Sequence, residues 1–252
     1  VLIIAAARPQ QSVAVPVDDG AIMLANDVSS SMAATDVAPS RLKAARRAAE
    51  RFLGGVPSSV RVGLLEFARR PILLQSPTTE HAAVRDALGQ LRTSGGTAVG
   101  EAIATAVHEL TSLRSPNGKR PPGAIVLLSD GASNVGPGPL TAARQAAAQH
   151  IPIYTIALGT EHGTIPIKRG SQTVVVRVPP SPQQLAQIAH ASGGRAFTAA
   201  DIGGLSAAYS HLAAQLGHKQ VKREISSSFA GGGLVLLLFG SAMSLRWFGR
   251  LV

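Results

Sequence analysis

The sequence predicts an α/β fold: a doubly wound, mainly parallel sheet flanked by helices. Three observations carry that expectation. Strand-like apolar runs alternate with amphipathic helical stretches from about residue 20 to 215, as parallel strands joined by crossover helices require. Two of the runs, Ala21-Ile22-Met23-Leu24-Ala25 and Ala124-Ile125-Val126-Leu127-Leu128, are apolar throughout. Clusters of hydroxyls and carboxylates follow these runs, where an open α/β sheet gathers its ligand-binding groups.

Taken in order, strands are expected at residues 21–25, 61–67, 71–75, 124–128, 151–157 and 195–198. Helices are expected at 40–52, 80–91, 99–113, 140–149, 182–191 and 202–216. Ser40 suits the N-cap of the first helix, which would bury Leu42, Ala45, Ala49 and Phe52 at i, i+3, i+4 spacing and stop at Gly54-Gly55. Its other face carries Arg41, Lys43, Arg46, Arg47 and Arg51 and reads as solvated. Asp36 reads as a cap on the loop entering that helix. Segments 164–167 and 173–178 flank Lys168-Arg169-Gly170-Ser171, which has hairpin-turn chemistry, so a β-hairpin insertion closed by Pro179-Pro180 is expected.

The fold expectation covers residues 18–216. A polar connector at 217–228 leads to an apolar stretch at 229–248, read as a C-terminal transmembrane helix. Its uncharged core, Phe229 to Leu245, would span about 25 Å as a helix, with Arg246, Arg250 and Trp247 as interfacial anchors. Residues 1–8 read as the end of a longer hydrophobic segment, with a signal-peptide remnant as the competing reading. Basic residues outnumber acidic ones 24 to 14, a net charge of +10 that favours anionic surfaces without specifying a fold. No aromatic platform or reading motif accompanies the charge, so no nucleic-acid partner is expected. The absence of cysteine removes disulfides, thiolate zinc sites and thiol nucleophiles. The seven histidines are scattered, with no H-E-x-x-H spacing.

Chemistry concentrates in three segments. Asp27-Val28-Ser29-Ser30-Ser31 reads D-x-S-x-S after the first strand, Thr97 ends Ser94-Gly95-Gly96-Thr97, and Asp130 sits in Ser129-Asp130-Gly131. Asp27, Ser29, Ser31, Thr97 and Asp130 supply two carboxylates and three hydroxyls. This hard-oxygen set suits Mg²⁺ or a similar cation, Mn²⁺ or Ca²⁺ included. The Gly-Gly pair would let its loop approach the ion closely.

In this order and on these elements, the three segments resemble the metal-ion-dependent adhesion site of von Willebrand factor A-type (VWA) domains, a Rossmann-like fold. All five ligand positions of that site are matched. Met32, the run Thr97-Ala98-Val99-Gly100-Glu101-Ala102-Ile103 and the Ala-Arg-Pro-Gln stretch before the domain narrow the resemblance to bacterial membrane-anchored VWA proteins of the aerotolerance (Bat-like) type. Asn26 departs from the apolar residue usual there and needs a polar partner. The resemblance implies that the hydroxyls bind the cation directly while the aspartates act largely through water. Few direct negative ligands then leave the ion an open position for an acidic group from a protein partner. It further implies a domain held outside the cytoplasm at the cell membrane, and a MoxR-type AAA+ ATPase or other VWA membrane proteins as partners. The expectation is a binding module, not an enzyme. A metal-dependent hydrolase of an anionic substrate stands as the alternative, although no nucleophile elbow or phosphate loop occurs.

Overall fold

The structure, a computed structural model, describes residues 10–16, 19–116, 118–130, 135–170, 172–224, 238–243 and 246–247. Two compact units are present, residues 17–217 and residues 1–16 with 218–252.

In the larger unit the elements are β2 (Ala21–Asp27), a 3₁₀ turn (Ser30–Ala33), α1 (Arg41–Gly55), β3 (Arg61–Phe67), β4 (Pro71–Thr78), α2 (His81–Leu88) and α3 (Val99–Ser112). These are followed by β5 (Gly123–Ser129), α4 (Pro139–Ala148), β6 (Ile153–Leu158), β7 (Thr164–Arg169), β8 (Gln172–Arg177), α5 (Pro182–Ser192), β9 (Ala196–Ala199) and α6 (Ile202–Gly217). The central sheet runs β4-β3-β2-β5-β6-β9, parallel throughout except for the antiparallel edge strand β4. The expected Rossmann-like architecture is therefore present, with the β7–β8 hairpin as a separate two-stranded sheet.

The apolar runs become central strands because both of their faces are covered. Along β2, Ile22 and Leu24 enter a core with Ala45, Ala49 and Phe52 of α1, whereas Met23 and Ala25 enter the opposite core with Ile103 and Ala106 of α3. Successive strands travel outward from β2 to β3 and β4 on one side, and from β5 to β6 and β9 on the other. The order thus reverses between β2 and β5, the crevice where open α/β sheets bind ligands. Asp27 closes β2 and Asp130 follows β5, so both stand at that switch point.

The smaller unit holds a ladder that the sequence reading did not contain. β1 (Gln10–Pro16) pairs antiparallel with β10 (His218–Glu224), where a polar connector was expected. Partners about two hundred positions apart, in segments without a continuous apolar run, give no local strand signal. Among the described residues no helix is long and apolar enough to cross a membrane. The expected transmembrane helix falls mostly outside them, and helical residues are described only at 238–243 and 246–247.

Candidate metal centre

Three loops meet over the switch point, and backbone hydrogen bonds fix their mutual positions. Val28 N–H donates to Phe67 O at 2.9 Å, and Ser94 N–H donates to Val28 O at 2.7 Å. Ser29 and Ser94 form an isolated parallel bridge, and Ser30 Oγ donates to Ser94 O at 3.2 Å. Ala98 N–H donates to Ala68 O at 2.7 Å, anchoring the loop just after Thr97. Ser181 N–H donates to Asp130 O and ties the start of α5 to the third loop. Asp27, Ser29, Thr97 and Asp130 are all buried as a result.

Gly96 has φ +80°, so a side chain there would strain the turn that delivers Thr97. A Cβ on Gly95 would meet nothing closer than Ser30 Oγ at 4.0 Å. Gly96 is also closely approached, since a Cβ there would lie 3.0 Å from Arg69 Cγ and 3.4 Å from its Cα, so both backbone conformation and crowding favour glycine at this position.

The carboxylate of Asp27 is committed on both oxygens. Oδ1 accepts the Ser29 N–H at 2.7 Å, and Oδ2 accepts the Ser129 hydroxyl. Burial pushes this carboxyl up to about 7, the charge of Asp130 adds to the rise, and the bonds from Ser129 and Ser29 oppose it. A bound cation would oppose the second cause, since its positive charge offsets the repulsion between the two carboxylates.

The donor chemistry fits a small hard cation. Ser29 Oγ and Ser31 Oγ lie 2.9 Å apart. They share a hydrogen bond, so two hydroxyl oxygens stand side by side at the cleft as hard donors suited to a divalent cation. The hydroxyls open into a cleft of about 390 Å³, lined on one side by Ser29, Ser31, Thr97 and Asp130. Ile165, Arg177, Val178 and Pro179, from the hairpin and its exit, line the other side. Among the described residues no group of three or more His, Cys, Asp or Glu forms a second cluster of metal-ligating side chains.

Arg41 corrects the reading of α1. It leaves the basic face altogether and is fully buried. Nε and Nη2 donate to Asp36 Oδ1 and Oδ2 at 2.9 and 2.8 Å, and Nη2 also donates to Val178 O at 2.9 Å. Nη1 has no hydrogen-bond partner and lies 3.6 Å from Asp130 Oδ2. The slot for this guanidinium requires Gly159 and Gly163, since a Cβ on either would collide with it. Asp36 is accordingly no helix cap. It accepts from Arg41 and from Thr160, through N–H at 2.7 Å and Oγ at 3.0 Å. Burial alone would raise its carboxyl, but the Arg41 and Thr160 donors outweigh it and hold the group at about 2. Ser40 does cap α1, accepting from Lys43 N–H at 3.3 Å.

The structure brings all five expected residues to one crevice. Sequence reasoning missed Arg41, the Ser129 hydroxyl, Thr160 and Arg177. A signal for Arg41 existed: it shares the helical stripe of Ala44, Ala45, Ala48 and Phe52, all buried. Asn26 fulfils its warning, being fully buried with neither amide atom hydrogen-bonded.

A family profile described as von Willebrand factor type A domain matches residues 22–132. A UPF0353 protein of Mycolicibacterium paratuberculosis is 39% identical over 252 residues, covering 97% of this chain and 75% of that protein. A UPF0353 protein of Mycobacterium leprae is 36% identical over 251 residues, covering 96% of this chain and 74% of its own. Among solved structures, an aerotolerance-related membrane protein of Bacteroides fragilis aligns at TM-score 0.68 and 25% identity, over 78% of this chain and 97% of that one. BatB of Bacteroides thetaiotaomicron aligns at TM-score 0.65 and 24% identity, over 77% and 98%. A proximal thread matrix protein of the mussel byssus, solved with zinc occupying its MIDAS motif, aligns at TM-score 0.60 and 18% identity, over 84% and 50%.

Proposed function

The chain belongs to the UPF0353 family and carries a von Willebrand factor type A domain, and from that premise we propose that it is a membrane-tethered, cation-dependent binding module. Asp27, Ser29, Ser31, Thr97 and Asp130 hold one divalent cation, Mg²⁺ in the first instance, and the cation grips an acidic group of a protein partner. The observation that carries this reading is the division of labour in the crevice. Asp27 spends both oxygens on protein donors, while the paired hydroxyls of Ser29 and Ser31 stand 2.9 Å apart at the cleft. An ion held mainly by neutral oxygens keeps most of its charge for a further ligand.

The bound cation supplies Lewis-acid attraction for a carboxylate. The protein supplies a fixed frame, an opening and the Arg177 side chain on the facing wall. The hydrolase alternative draws no comparable support, because Asp27 accepts a hydrogen bond on each oxygen and Asp130 stands against a buried guanidinium, which leaves neither carboxylate placed as a general base. The zinc described for the mussel protein's MIDAS motif supports a divalent ion at the equivalent crevice.

Membrane tethering through residues 229–248 is supported by the exposed Leu238, Phe239, Met243 and Trp247 among the described positions. The membrane protein of B. fragilis supports it by likeness. A domain outside the cytoplasm and a MoxR-type ATPase partner belong to the same reading and rest on the family resemblance.

The test is capture of envelope proteins by the immobilised chain in Mg²⁺, in EDTA, and with Thr97→Ala. Capture that requires Mg²⁺ and fails in the variant is expected. Undiminished capture in EDTA would overturn the bridge. Mn²⁺ binding followed by electron paramagnetic resonance checks the site without any partner.

A further inference from the structure

The hairpin beside the cleft has one edge that no described strand covers. In β7–β8 the register sets Ile165 opposite Val176, Pro166 opposite Val175, and Ile167 opposite Val174. Antiparallel pairs alternate between those that exchange hydrogen bonds and those whose N–H and C=O point outward. Just before the ladder, Val178 N–H donates to Gly163 O at 2.8 Å. Counting from this bonded pair, Ile165–Val176 and Ile167–Val174 are bonded pairs, and Pro166–Val175 is not. Proline, which has no N–H, occupies a position where the ladder needs none. The outward backbone groups of β8 therefore belong to Thr173, Val175 and Arg177.

Other edges in the unit are guarded. β4 carries Pro71 and Pro77 and two register shifts, and β9 has only four residues. The outer side of β7 is interrupted by Pro166. From Gln172 to Val176, by contrast, β8 has no proline and no charge, and Val175 is 68% exposed. Such an edge is a template for a further strand. It leads into the metal cleft, because Arg177 and Val178 line that cleft.

We propose that the outer edge of β8 receives an extended, acidic segment of a protein partner by strand addition, directing that segment's carboxylate to the cation. The proposal rests on the metal reading of the cleft and names the partner's form. Charge complementarity selects the occupant: Arg177 and the proposed cation site lie at the end of the edge, within a chain of net charge +10. A second copy of this chain fits poorly, since Gln172–Arg177 offers no acidic residue to reach the ion. Alternating side chains of the added strand meet exposed Val175 on one face of the hairpin, and the bonds to Thr173, Val175 and Arg177 are indifferent to sequence.

Selection of random linear nonapeptides displayed on phage, against the whole 252-residue chain in Mg²⁺, tests this. The expected winners are β-branched sequences with one Asp or Glu. Val175→Pro removes an outward N–H while leaving the bonded pairs of the hairpin intact, and it weakens these peptides about tenfold. Val175→Thr keeps the N–H and keeps the affinity, and circular dichroism verifies that both variants fold. Chelation by EDTA also abolishes binding. Winners unaffected by Val175→Pro, or no winners, overturn the edge and leave the metal reading standing. Winners weakened by Val175→Pro but indifferent to EDTA remove the metal and with it the carboxylate half of the proposal. A chain that sediments as a dimer, and as a monomer with Val175→Pro, overturns the proposal in favour of self-pairing.

Discussion

The two walls of the cleft are built on opposite terms. On the sheet side, Asp27, Ser29, Thr97 and Asp130 are buried, and the acids around them are bound on both oxygens or set against Arg41. On the hairpin side, β8 is exposed along most of its length and presents outward backbone groups. One wall is over-determined and can hold an ion in fixed geometry. The other is under-committed and can adapt to what arrives. Under the proposed reading, a fixed anchor beside an open edge would separate strength, set by the ion, from selectivity, set by the adjoining segment.

The contrast is most easily broken at Arg41. Arg41→Met strands Asp36 and Asp130 beside a lost cation, and about 3–5 kcal/mol of unfolding free energy disappears in urea titration. Arg41→Lys recovers little of it, because a point charge cannot reproduce the two-pronged contact with Asp36. Next in size, Thr97→Ala weakens Mn²⁺ binding by more than about tenfold, a loss of about 1.4 kcal/mol or more, with the melting temperature of the metal-free chain little changed. Asn26→Leu works in the opposite direction. Removing a buried amide with no partner raises stability by about 1 kcal/mol, read from the same urea curves.

The Asp36–Arg41 pair also sets a pH signature. Since the folded carboxyl sits at about 2, below its ordinary 3.8, its stabilisation is fully present above 3.8 and drains away as pH falls through 2. Acid titration of Arg41→Met lacks that segment. The smallest expected effect sharpens the comparison: Val175→Pro shifts stability by less than about 0.5 kcal/mol, as substitutions at exposed, uncommitted positions do, whereas Val174→Pro breaks a bonded pair and costs about 3 kcal/mol or less, depending on hairpin fraying.

The contrast also marks what could be read from the sequence. The convergence of the five oxygen-bearing residues was legible because each piece is local: an apolar strand, then an oxygen-bearing loop within a few residues. The six strands of the sheet and its helices were legible for the same reason, with ends misplaced by a few positions, as at Thr78 and Leu88. Arg41 was legible only in part: its place on the buried stripe of α1 is local, but its partners Gly159, Gly163 and Val178 arrive from more than a hundred positions away. The β1–β10 ladder was hidden by the same separation. The free edge of β8 required knowing which pairs are bonded, and that follows from register, not composition.

The slot around Arg41 has a consequence for synthesis on the ribosome. Residues 27–31 and 97 emerge early and already carry all three hydroxyls, but Asp130 follows only after a further thirty-odd residues. The guanidinium stays uncovered until Gly159, Gly163 and Val178 have left the exit tunnel, and Ser181 must follow before the Asp130 backbone is anchored. A nascent chain cut short before that point has the motif without the crevice. Completion of the crevice, marked by the Ser181 anchor, therefore trails Asp130 by a further fifty-one positions of sequence.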